Sequence, residues 1–258
     1  MYPREILRAR SIVFHHKLLF KNRRTPPKIP TYFFVTSYSF FLPVTTFAAN
    51  VLNAACCSFK PLLYLFVIIN ALLFTATAST INILTTLLSP VALAIVTFYS
   101  YCKRFTSLAH LVLGLSLGIA PVGAYIAVTG EFALAPCILA VLVITWCGGF
   151  DIIYALQDAA FDRERGLHSI PSRFSARTAL LFSLLLHVVS VGALLWFCSY
   201  LPGRWYMWVG VAIFIILLAL QHLLVTPTKQ KNIGIAFGTL NGLASLTLAI
   251  FVILDLLL

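Results

Sequence analysis

The chain has 258 residues, 61% of them hydrophobic and only 10% charged, with a mean hydropathy of +0.99. That balance excludes a water-soluble globule and predicts an all-α integral membrane protein, because apolar runs of about twenty residues suit helices and lipid leaves no place for open sheet edges. The net charge of +11 predicts no nucleic-acid partner, since the Lys and Arg residues sit between apolar runs, where they contact membrane lipid headgroups and set topology.

In chain order, residues 1–60 form an atypical basic region, and its opening 30 residues lack the apolar core that a secretory signal peptide requires. Residues 31–52 are uncharged but rich in Ser, Thr and Pro, which makes them the weakest of eight candidate spans. Seven stronger runs follow within a membrane domain at 61–258, namely 61–80, 81–101, 110–130, 132–150, 178–201, 205–225 and 233–258. Lys60, Lys103 with Arg104, the group Arg163, Arg165, Arg173 and Arg177, and Lys229 with Lys231 fall in alternate connections. The positive-inside rule puts these connections in the cytoplasm and the C-terminus outside. A span at 31–52 would force the eight Lys and Arg residues before it outside, so either it is no simple span or the N-terminal region is atypical. Cysteines 56, 57, 102, 137, 147 and 198 have no metal-ligand spacing and read as small buried hydrophobes.

Four of the seven acidic residues fall within fourteen positions, at Asp151, Asp158, Asp162 and Glu164. The helical pattern predicts one helix continuing to about Glu164, stopped by Gly166 and Pro171. At 100° per residue, Asp151, Asp158 and Asp162 would then share one narrow stripe flanked by Tyr154 and Arg165, with Asp158 and Asp162 about 6 Å apart along the axis and Asp151 about 10 Å deeper. Each carboxylate carried to the bilayer centre costs roughly 2.5–3.5 kcal/mol, which calls for a positive partner. Mg2+ suits the pattern when a phosphate completes its coordination, with Arg163, Arg165, Lys103 and Arg104 taking up remaining phosphate charge. A solvated interfacial loop and a proton-coupled transporter are the competing readings of the periodicity.

"DIIYALQDAAFDRERGLHSIP" at 151–171 resembles the second aspartate-rich motif of the UbiA superfamily of intramembrane prenyltransferases, most closely its 4-hydroxybenzoate polyprenyltransferase branch. "YSYCKRFT" at 99–106 resembles the basic motif after that family's fourth span, with Ser100 where proline is usual, and "FGTLNGLAS" at 237–245 is similar to its last span. The resemblance implies a bundle of nine spans with a central cavity open to the cytoplasmic side and to lipid, in the inner membrane if the source is bacterial. It implies Mg-dependent transfer of a prenyl group from a polyprenyl diphosphate to an aromatic acid in quinone biosynthesis. Asp158 and Asp162 match the metal-binding pair; Asp151, Tyr154 and Gln157 match cavity-side positions; Lys103 and Arg104 match the diphosphate-side cations. The first motif, N-D-x-x-D-x-x-x-D, should precede residue 61, yet Glu5 is the one acidic residue of 1–60. Three readings of that departure stand open: a misassigned start or reading frame, an inactive product, or a divergent enzyme using one metal site. A naphthoate acceptor of the menaquinone pathway is the near alternative.

Other residues divide between packing and ligand roles. Asn241 is a candidate to bind substrate or to link helices, and His110, His187 and His222 read as satisfied buried histidines. His168 reads as a loop histidine. Pro90 and Pro121 are expected inside spans, where they kink the helix. The 21 Phe and 10 Tyr suit an isoprenoid tail and a carbocation, and equally suit lipid-facing positions.

Overall fold

The computed structural model describes residues 60–228 and 231–258, with side chains from residue 64 onward. The elements are α1 (Lys60–Ser79), α2 (Ile83–Cys102), α3 (Ala109–Thr129), α4 (Leu134–Ala155), two short helices α5 (Ala159–Glu164) and α6 (Ile170–Arg173), then α7 (Ala176–Cys198) and α8 (Trp205–Leu224). A π-helical segment, Ile235–Leu240, leads into α9 (Asn241–Leu257). Each of the seven hydropathy runs from residue 61 onward is a helix, and six spans, from α2 onward, are long and apolar enough to cross a membrane. The expectations on residues 1–59, including a span at 31–52, lie outside the described residues.

α4 is the axis of the bundle. Its apolar stretch is 61% buried inside the protein, against 17–33% for the other five spans, because α3 and α7 pack along its sides while α6 and the π segment touch it too. Small residues permit this close approach. A Cβ on Gly114 of α3 would lie 2.3 Å from the Ile144 carbonyl oxygen, and one on Gly149 of α4 would lie 2.4 Å from the His187 ring. Beyond this central group, α1 packs on α2, α2 on α3, and α8 on α9. Pro90 and Pro121 lie inside α2 and α3.

The connections are held by local chemistry. Asn82 caps α2 by accepting from the Thr85 N–H at 2.8 Å and donates to the Ile126 carbonyl of α3 at 2.8 Å, tying the start of one span to the end of the next. Gly130 then ends α3 with φ 75, a conformation glycine reaches without a Cβ penalty. At the same end of the bundle Asp255 of α9 is fully buried and accepts from the Gly203 N–H at 3.2 Å.

One expectation needs correcting: the helix bearing Asp151 does not continue to Glu164. α4 ends at Ala155, and the N–H groups of Leu156, Gln157 and Asp158 donate to Ile153, Tyr154 and Ala155 in three successive i→i−3 bonds of 3.1–3.3 Å. Such a turn winds at three residues per turn rather than 3.6, so the single stripe is broken between Asp151 and Asp158. The cause is apolar. Leu156 is drawn into a buried cluster with Ile152, Ile153, Ile170, Ala179, Val225, Ile233 and Ala236, while Gln157 is left exposed. Pro171, expected only to stop a helix, sits within α6, where Ser169 and Ser172 cap each other's backbone N–H.

Candidate active site

The acidic residues lie at the end of the bundle where α2 stops and α3 begins. Asp162 is 2% exposed and carries Lys103 Nζ at 3.5 Å from Oδ2, an oxygen that makes no hydrogen bond. Asp158 precedes α5, accepts through its carbonyl from the Asp162 N–H at 2.8 Å, and is half-buried with no ion pair among the described residues. That i→i−4 bond keeps Asp158 and Asp162 on one side of α5, as their spacing predicts. Asp151, one helix earlier, turns to α3 and shares a 2.7 Å hydrogen bond with His110 Nδ1.

The loop after α5 is tied to its surroundings at three points. The Leu167 N–H donates to the Asp162 carbonyl at 2.8 Å and the Gly166 N–H to that of Arg163 at 3.3 Å, with Gly166 at φ 65. This pair is the Schellman arrangement that satisfies carbonyls at a helix C-terminus. The His168 N–H donates to the Lys103 carbonyl at 2.7 Å, so the loop also holds the end of α2. The Ile170 N–H then donates to His110 Nε2 at 3.4 Å. Sequence reasoning missed this role of His110, and the 60 residues between it and Ile170 leave no local signal that could reveal it.

An aromatic wall stands beside the acids. Trp146, Phe150 and Tyr154 follow one another at four-residue spacing along α4, which places them on one face. Tyr154 lies on Phe237 of the π segment with centroids 4.3 Å apart, and Phe237 also meets Phe150 edge-on at 5.5 Å. A π-helical turn in a span is often found at functional sites, and this one carries Phe237 to Tyr154. Farther from the acids, between α1, α2, α3 and α4, lies a cavity of about 280 Å³ lined by apolar side chains including Phe74, Ile95, Ile119 and Ile144. Gly123 lines it too, and a Cβ there would meet nothing within 4 Å. Ile144 is seven residues from Asp151, about 10 Å along the helix.

Of the other candidates, Gln157, Arg104 and Arg165 are exposed, the two arginines with their guanidinium groups 5.4 Å from the rings of Tyr101 and Phe161. Asn241 is engaged by protein: its side-chain oxygen accepts from Trp146 Nε1 at 3.2 Å and Gln221 Nε2 at 2.7 Å, and its amide donates to the Phe237 carbonyl at 2.9 Å. Its geometry is that of a helix linker, the packing half of the expectation. Cys102, Cys147 and Cys198 are buried and free.

A magnesium ion fits the residues present. Among the described residues no three His, Cys, Asp or Glu side chains converge on one point. Mg2+ needs only one or two carboxylates when phosphate oxygens and water complete its shell. The buried, unbonded Oδ2 of Asp162, with Asp158 one turn away, is a donor set of that kind.

Comparison with known proteins bears on the fold and the family. The model of the "UbiA prenyltransferase family" matches residues 60–250. A 4-hydroxybenzoate octaprenyltransferase of Francisella tularensis subsp. mediasiatica is 28% identical over 173 residues, 67% of this chain and 61% of that protein. One from Edwardsiella ictaluri is 31% identical over 179 residues, 69% of this chain and 61% of that protein. The matches thus span about three fifths of the length of these relatives. The apo structure of a UbiA homolog from Aeropyrum pernix K1 superposes with a TM-score of 0.75 at 24% identity, covering 91% of this chain and 92% of that one. The fold is that of the UbiA bundle, and the chain belongs to the UbiA prenyltransferase family.

Proposed function

We propose that this chain transfers a polyprenyl group from a polyprenyl diphosphate to an aromatic acid of the 4-hydroxybenzoate type, with Mg2+ held by Asp158 and Asp162, in the biosynthesis of a quinone. The observation that carries the reading is the buried Asp162 carboxylate, whose Oδ2 has a lysine ammonium at 3.5 Å and no hydrogen bond. The gathering of Lys103, Arg104, Arg163, Arg165, Arg173 and Arg177 at this end of the bundle favours a site facing the cytoplasm, in a bacterial cell across the inner membrane.

When bound, magnesium supplies Lewis-acid stabilisation of charge on the departing diphosphate. Lys103 and Arg104 take up the remaining charge of the diphosphate and hold the donor in place. As the allylic C–O bond breaks, the faces of Tyr154 and Phe237 stabilise positive charge at C1 and keep water away from it. The ring carbon beside the acceptor hydroxyl forms the new C–C bond. Asp151 then takes the proton from that carbon, and the C–H electron pair returns to the ring. The apolar cavity beginning near Ile144 accommodates the prenyl tail.

The test is the full chain in lipid nanodiscs with magnesium, labelled polyprenyl diphosphate and 4-hydroxybenzoate. Prenylated acid is expected and is abolished by chelator. Transfer that survives chelator overturns the metal assignment, and preference for a naphthoate acid changes the acceptor. Carboxylate-dependent proton movement without transfer would make the chain a transporter.

A further inference from the structure

We infer that His110 is a positioning residue that fixes Asp151 relative to the Asp158–Asp162 pair; the inference rests on the reading above. Its imidazole is wholly buried and both ring nitrogens are engaged. The Ile170 backbone N–H can only donate, so Nε2 accepts and carries no proton; the neutral ring's single N–H is therefore on Nδ1 and donates to Asp151 Oδ2. The bond at Oδ2 leaves Oδ1 as the carboxylate oxygen free to face substrate, and the Asp151 side chain is 16% exposed.

The second partner gives the contact its significance. Ile170 opens α6, whose first turn is locked by the reciprocal caps of Ser169 and Ser172. The preceding loop is bonded to the Asp162 carbonyl and to the Lys103 carbonyl. One rigid ring therefore joins the aspartate on α4 to the segment that leaves the metal-side helix and braces the end bearing the diphosphate-side lysine. The chain between Asp151 and Asp158 contains the tightened turn at 156–158 and does not by itself fix that relation. His110 supplies the cross-brace, and so sets the placement of the proton-accepting aspartate against the prenyl donor.

A side chain that both donates and accepts at its tip can replace it. Glutamine does so through one amide, whereas leucine fills similar space and does neither. The full chain in nanodiscs is assayed as wild type, His110→Leu and His110→Gln, with steady-state prenyl transfer and with hydrogen–deuterium exchange of the segment 166–174. His110→Leu is expected to lower kcat by roughly 30- to 100-fold, the scale of a misplacement of about 1 Å, with KM for the diphosphate changed less than about twofold and exchange in 166–174 accelerated. His110→Gln is expected to restore most of kcat and the slow exchange. The inference is overturned if His110→Leu changes KM alone, if its kcat matches wild type, or if His110→Gln is no better than His110→Leu. Absence of transfer by the wild type is instead a failure of the proposed function. The exchange comparison then still decides the brace: equal exchange in wild type and His110→Leu overturns it.

Discussion

Asp162 and Asp255 are both buried carboxylates with one oxygen that makes no hydrogen bond, and they lie at opposite ends of the bundle. Asp162 has a lysine ammonium at 3.5 Å and a second aspartate four residues earlier. Asp255 makes no ion pair among the described residues, and its other oxygen accepts from Gly203 in the turn between α7 and α8. A buried carboxylate costs free energy wherever it sits. At one end the surroundings are arranged for a charged ligand, and at the other for holding a loop to the last helix. Burial alone therefore does not separate a site from a brace; the chemistry of the neighbours does.

The sharpest way to break this comparison is to exchange each carboxylate for the matching amide. Asp162→Asn is expected to reduce prenyl transfer by about 10²–10³-fold, the scale of losing one preorganised electrostatic contact, while Asp255→Asn leaves the rate unchanged. Equal losses in a product assay would show that both are structural. A smaller effect separates the two ends by specificity. Gly123→Phe, which fills the apolar cavity at a position where a Cβ meets no neighbour, is expected to shift the preference between long and short prenyl donors by roughly tenfold, within the range for apolar pockets. Competition between two donor lengths reads this directly, and an unchanged ratio removes the cavity from the tail path. The smallest expected effect is on stability. Asp255→Leu leaves the Gly203 N–H without its acceptor, at about 1–3 kcal/mol, or roughly 2–10 °C in Tm for a chain of this size. Asp255→Asn, which keeps an acceptor oxygen, is expected to lose less in the same melt.

The spans were legible in the sequence because lipid imposes length and hydropathy on each segment separately. The prediction of 110–130 meets α3 at Ala109–Thr129, and that of 205–225 meets α8 at Trp205–Leu224. Gly166 as a helix stop was legible for a similar reason, since only the local backbone decides it. The break after Ala155 was not. No Gly or Pro marks residues 156–158, and the turn follows from Leu156 entering a cluster whose other members come from α4, α6, α7, the connection after α8 and the π segment. The candidate residues Asp151, Asp158, Asp162 and Lys103 could be named from motif and spacing. Their pairing, Lys103 with Asp162 and His110 with Asp151, depends on how α2 and α3 are set against the acidic segment. Asn241 shows the converse: its residue type suited a ligand, and three hydrogen bonds, to α4, to α8 and to the π segment just before it, occupy it instead.

The π segment at Ile235–Leu240 carries a surplus residue relative to a regular helix. Phe237, toward its start, meets Tyr154, while Asn241, just past its end, ties Trp146 and Gln221 together. Deleting one residue there would return the segment to regular α winding with its two flanks still in phase, whereas the same deletion within α9 would rotate everything beyond it by about 100°. The irregularity is therefore the one stretch of the final span that absorbs a change of length without turning its far end away from its neighbours.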